Sequence, residues 1–387
     1  MIFRPNYRML CLSIICIFLL NSPALSFEVD LSPFHPQFLA EMGNGEILLS
    51  SLDDNTLLLL NSDGEVINKY TLPGINERVF QFAEIESLNK VIIFAGPDHR
   101  LESSGAMKIY IYDIPSRSIV HRFEYGYRVN EYCIKGDYLI FIDGGKFVYP
   151  EGYGRNLAAI NCKDYTVTEI YEFCTEPYDM AIDNTGTKLF VLLAEESTIA
   201  SFDITAGNPN DWFCNDDFIL DNTSKLLRMC YSEYTDKIYI FDFIGKQFKV
   251  IGTSGLCLEH NKTMDRVLVS MRCYDFGDTM LAIGFGSEAE GGIGGLLQLS
   301  LDDYETTYHE AAFWPRYIEA NGNGEIIWGM FKDYEEENNY CFTLDVNGVV
   351  NEILLADFHW ISLSKLNQKK AFAANGEGGL VKTIEIP

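Results

Sequence analysis

Residues 178–203 run YDMAIDNTGTKLFVLLAEESTIASFD, and this stretch decides the fold. Tyr178 to Ile182 suits a short strand. Asp183-Asn184-Thr185-Gly186 is a turn in which the glycine can take the positive φ of a tight hairpin. Lys188 to Leu193 is one polar residue followed by an unbroken apolar run, which predicts a strand buried on both faces. Thr198 to Asp203 predicts a third strand, ended by Thr205-Ala206-Gly207, and a fourth lies within Asp211 to Leu220. The unit is a four-stranded antiparallel meander.

The same rhythm recurs along the chain. Apolar runs headed by a polar residue begin at Glu46, Lys90, Asp137, Lys188, Lys237, Thr279, Glu325 and Lys370, spaced 44, 47, 51, 49, 42, 46 and 45 residues apart. A strand-rich period of this length is the signature of propeller blades. Rungs of a β-helix are shorter, and sandwiches lack so long a period. The last copy holds only three strands, near Trp360, Phe372 and Val381. The alternating segment Phe27-Glu28-Val29-Asp30-Leu31 can supply the fourth and close the ring, which removes an exposed sheet edge. The expectation is an all-β propeller of eight four-stranded blades closed by the N-terminal strand, with seven blades as the alternative.

Within the opening stretch, Asp183-Asn184-Thr185-Gly186-Thr187-Lys188-Leu189-Phe190-Val191 resembles the D-x-x-G-x-x-L-Y-V core of YVTN-type propeller repeats, and Thr198 to Asp203 resembles the strand that follows it there. The close match covers one blade; the others share the strand-turn rhythm. The resemblance implies a propeller used outside the cytoplasm and implies no particular chemistry. The Gly-His and Trp-Asp signature of WD repeats is absent, and the tryptophan docking motif of quinoprotein propellers is not evident.

The first 26 residues form a signal peptide by pattern. Arg4 and Arg8 give the positive start, Met9 to Leu20 the apolar stretch, and Ala24-Leu25-Ser26 a small-x-small cleavage site. An uncleaved anchor is the alternative. Residues 27–387 would then be a single exported domain, periplasmic or extracellular, with no later apolar segment long enough to span a bilayer. The whole chain has 387 residues and a formal net charge of −27, so nucleic acid, which needs surplus Lys and Arg, is not an expected partner. Eight cysteines follow the leader without a C-x-x-C pair, which speaks against a zinc knuckle. Most lie in apolar runs, which favours buried thiols over disulfides.

No nucleophile elbow, phosphate loop, dinucleotide fingerprint or metal-binding histidine pair is present, so no catalytic residue, cofactor or metal site is assigned. The acidic clusters around Asp211 to Asp221 and Asp333 to Glu337 lack the spacing that wraps oxygens around calcium. The arginines say more. Arg128, Arg228 and Arg316 each lie nine residues before the apolar run of their blade, and Arg78 and Arg266 lie 12 and 13 before theirs. That places them near the start of each first strand, on the face where propellers commonly bind ligands. His359 opens the last blade at a related place, and Tyr127 and Trp314 stand beside the arginines. Guanidinium forks suit carboxylate, sulfate or phosphate, and aromatic faces suit sugar rings. The expected ligand-binding set is therefore Arg78, Arg128, Arg228, Arg266, Arg316, His359, Tyr127 and Trp314. The reading is a monomeric binding protein for an anionic glycan or small molecule, or for a protein partner. The alternatives are arginines that only bond strand ends, and a hydrolase or lyase on an anionic glycan with His99 or His359 as acid–base group.

Overall fold

The computed structural model describes residues 28–51, 55–73, 77–97, 106–126, 129–143, 155–220, 227–242, 245–265 and, in shorter stretches, 268–385; side chains within 266–294 and 310–369 lie outside the description, with a few others. The described strands form eight four-stranded antiparallel sheets. Seven run in simple sequence order, and the fold is a β-propeller. The eighth sheet joins Trp360–Leu363, Lys370–Asn375 and Leu380–Glu385 to the N-terminal strand Glu28–Asp30. Val29 pairs with Val381, and the Leu31 amide donates to the Gly379 carbonyl at 2.7 Å. The closure expected from the three-stranded last copy is present.

The heads of the apolar runs mark the second strands to within one residue: Ile47–Ser51, Lys90–Pro97, Tyr138–Asp143, Lys188–Leu193, Lys237–Asp242, Met280–Gly286, Ile326–Phe331 and Lys370–Asn375. Burial on both faces explains the unbroken apolar runs. In blade 2, Ile92 and Phe94 pack toward blade 3, while Val91, Ile93 and Ala95 pack toward blade 1. In blade 4, Leu189 and Val191 face blade 3, while Phe190 and Leu192 face blade 5. Ile47 and Leu49 of blade 1 meet Phe372 and Val381 of blade 8. The core is thus a series of apolar seams, one between each described pair of blades.

First strands of adjacent blades neighbour one another, so they are innermost. Fourth strands are outermost, as in Val66–Thr71, where every residue but Tyr70 is exposed. No disulfide links the described cysteines. Cys162 and Cys230 are buried as expected, but Cys174 and Cys257 are exposed, because they sit at the ends of outermost strands.

At four described second strands the polar head has a job the repeat pattern did not disclose. On the lower face, where first strands end and second strands begin, it reaches the third-to-fourth turn of the next blade. Lys90 donates to the Cys162 carbonyl at 3.0 Å and to the Tyr165 hydroxyl at 2.7 Å. Lys188 donates to the Thr253 carbonyl at 2.9 Å, and Lys237 to the Tyr304 hydroxyl at 3.0 Å. Between blades 1 and 2 the charges are exchanged, and Glu46 pairs with Arg117. In blade 3, Asp137 is bound by Lys163 of its own blade, and Lys135 takes over, donating to Gly186 and Ile204. Histidines reinforce two of these latches: His121 stacks on Tyr165 at 4.7 Å and His260 on Tyr304 at 4.5 Å.

Candidate functional site

The upper face is where first strands begin and second strands end. Strand register defines a common height on it. Four residues beyond each head, the second strand faces one residue of the first: Phe38, Gln81, Tyr132, Asp179, Arg228, Cys273, Tyr317 and Trp360, in blade order. Two of the eight are charged, Asp179 and Arg228, and they stand in neighbouring blades. They are one repeat apart in sequence.

Asp179 is buried, and its two oxygens are fixed by backbone amides. Oδ1 accepts from Met180 N and Oδ2 from Met229 N, both at 2.9 Å. The second bond crosses from blade 4 to blade 5. It satisfies an amide on the inner edge of a first strand, where no sheet partner exists. Arg228 is 9% exposed. Its guanidinium lies over the Tyr178 ring, 4.2 Å from the centroid. Its Nε is buried without a hydrogen-bond partner. No ion pair joins it to Asp179 among the described residues, although its positive charge acts on that carboxylate. Burial, with the Glu131 charge from blade 3 adding to it, pushes the Asp179 carboxyl up to about 7, against the opposing pull of Arg228 and the two amides. The seam of blades 3 to 5 therefore gathers two acids, an unbonded guanidinium and an aromatic platform.

Two more buried carboxylates shape this face. Asp143 ends the second strand of blade 3 and fits against Gly126, where a Cβ would come within 2.4 Å of its oxygen. Asp242 ends that of blade 5 and accepts from the Gly245 amide at 2.8 Å. Asp242 thereby fixes the turn that follows its strand, and Asp143 leaves no room for a side chain at Gly126.

Of the ligand-binding residues expected from sequence, the structure describes the side chains of Arg78 and Arg228. They are not level. Arg78 faces Gly96, two positions nearer the opening than the common height: it lies three residues before Gln81, and a bulge between Val79 and Gln81 takes back one of them. Arg316 is the bulged residue between Pro315 and Tyr317, with its side chain outside the description. Arg128, Arg266, His359, Tyr127 and Trp314 lie outside the described residues, as does His99. Tyr178 and Asp179 escaped the sequence reading. The signal available was an aromatic–acid pair one period before Arg228. Among the described residues no group of three or more potential ligands could hold a metal, and no helix is long and apolar enough to cross a membrane.

No family model matches the chain, and comparison with curated proteins finds no match. Solved structures match in shape. Virginiamycin B lyase from Staphylococcus aureus is 12% identical, with a TM-score of 0.52 over 94% of this chain and 99% of that one. The dihydro-heme d1 dehydrogenase NirN is 9% identical, with a TM-score of 0.65 over 89% and 72%. Sqt1 from Saccharomyces cerevisiae is 12% identical, with a TM-score of 0.62 over 94% and 98%. These likenesses establish the propeller fold. Two of these are named as enzymes of different chemistry, a lyase and a dehydrogenase, so fold does not choose a function.

Proposed function

We propose that this chain is an exported, monomeric binding protein that takes an anionic ligand on its upper face. The leader pattern of residues 1–26 supports export, and the arginines near first-strand starts support an anion. The observation that carries the reading is Arg228: a nearly buried residue whose guanidinium lies over the Tyr178 ring, with Nε unbonded. A donor kept dry without a partner costs stability, and a bound anion relieves that cost. Arg78 and the undescribed Arg128, Arg266, Arg316, Tyr127, Trp314 and His359 would extend the surface.

Thermal unfolding tests this. Sulfate, citrate or an anionic oligosaccharide should raise Tm more than chloride does at matched ionic strength. A ligand at a hundredfold excess over Kd adds about 2.7 kcal/mol. Arg228→Met should remove the specific part of the shift. An identical shift in both proteins would overturn the reading. One observation favours an enzyme instead: a carboxyl near 7 at Asp179 is in the range of a general acid–base group. Turnover of an anionic glycan, lost in Asp179→Asn, would decide for that alternative.

A further inference from the structure

The seam between the first strands of blades 4 and 5 narrows the ligand class; this inference rests on the anion-binding reading just given. The Arg228 guanidinium lies over Tyr178, 4.2 Å from the ring centroid, and its N–H donors suit the oxygen of an anion. The charge count limits the ligand further. Arg228 supplies one positive charge, Asp179 of blade 4 lies within reach of its field, and the Glu131 charge of blade 3 acts in turn on Asp179. A dianion would bring its second charge against these acids. A monoanion can be seated if one acid carries a proton. Asp179 is the acid placed for this, since it shares the height of Arg228 and is held in place by the Met180 and Met229 amides.

We infer that this seam binds a small monocarboxylate, one oxygen on the Arg228 guanidinium and the other accepting a hydrogen bond from the protonated carboxyl of Asp179. Binding then takes up one proton from solvent whenever Asp179 starts ionised. The groups acting on that proton are Glu131, Arg228 and the two amides. With the carboxyl at about 7, roughly nine-tenths is protonated at pH 6 and one-tenth at pH 8, so the apparent Kd should weaken about tenfold across that span.

The test is titration calorimetry on the full mature chain with galacturonate and benzoate, against galactose, benzamide and sulfate, at pH 6 and pH 8. The expected result is binding of the two carboxylates alone, about tenfold tighter at pH 6, with proton uptake visible in buffers of different ionisation enthalpy. Asp179→Asn should flatten the pH dependence and Glu131→Gln should move its midpoint down, while Arg228→Met should abolish binding. Should Arg228→Met misfold, the wild-type pH series and Glu131→Gln still decide. Sulfate binding as tightly as the carboxylates, or carboxylate binding unchanged between pH 6 and 8, overturns this inference and leaves the anion-binding reading standing. No binding of any anion overturns both.

Discussion

Replacing Lys90 by Met would test whether the head of each second strand fastens neighbouring blades. The substitution keeps an unbranched apolar stem and removes the ammonium. Two hydrogen bonds from blade 2 to blade 3 are lost, at 3.0 Å to Cys162 O and 2.7 Å to the Tyr165 hydroxyl. So is a cation–π contact 4.5 Å from the Tyr165 centroid. Hydrogen bonds to charged groups contribute roughly 1.5–3 kcal/mol each when well shielded. Lys90 is half-buried, and water can replace part of what it gives. A net loss of about 2 kcal/mol follows. With a urea slope of about 3 kcal/mol/M, the midpoint should fall by about 0.7 M at unchanged slope. Lys163→Met is the control. Its ion pair with Asp137 is 2.5 Å long but 61% and 37% exposed, and exposed pairs contribute well under 1 kcal/mol. Combining Lys90→Met with Tyr165→Phe should show coupling, because both changes remove the same bond. Equal midpoints for Lys90→Met and Lys163→Met would refute the latch and reduce these lysines to solvated strand heads.

Deleting residues 27–31 should lower Tm and promote aggregation, because it strips the pairing of Glu28–Asp30 with Leu380–Glu385 and takes Leu31 from the seam of blades 8 and 1; unchanged Tm and solubility would reject closure by this strand. Gly379→Ala should cost more than 2 kcal/mol by chemical denaturation, roughly the strain of a positive φ plus a clash, since φ is +68° and a Cβ would lie 2.9 Å from the Phe34 carbonyl oxygen. Gly136→Ala, with φ +56° and open space around it, should cost about 1 kcal/mol. Thiol labelling should modify Cys174 and Cys257 in the native state and Cys162 only after unfolding, as their burial dictates. Asp179 binds its proton more tightly folded than unfolded, so its contribution to stability is full below about pH 4 and lost as pH rises to about 7; the stability of Asp179→Asn relative to the natural chain should therefore improve from pH 5 to pH 8.

The second strands were legible because burial on both faces leaves a plain apolar run, and every head falls within one residue of its strand. The closure was legible because the strand count of the last copy came up short. The latches were not. Lys90 and Cys162 are 72 residues apart, and nothing local distinguishes a lysine in water from one bonded to the next blade. Their recurrence at 90, 188 and 237 was the available clue. The arginines were counted along the chain, but bulges between Val79 and Gln81 and between Pro315 and Tyr317 separate sequence distance from height. The first strand of blade 5 has no register shift, so Arg228 stays at the common height.

That common height also explains how a repeat can make a site. Eight identical residues there would suit only a ligand on the axis. Here Phe38, Tyr132, Tyr317 and Trp360 are aromatic, Gln81 and Cys273 are neutral, and the charge is confined to Asp179 and Arg228. On the lower face, blades 1, 2, 4 and 5 share one device, a polar strand head bonded to the next blade's turn, through changes of residue and even of charge sign. Holding the ring on one face leaves the other free to vary blade by blade without loosening the fold. A ligand should therefore bind off the axis, against blades 3 to 5. Gln81→Leu in blade 2 should leave affinity unchanged, and a loss there equal to that of Arg228→Met would mean the ligand spans the ring.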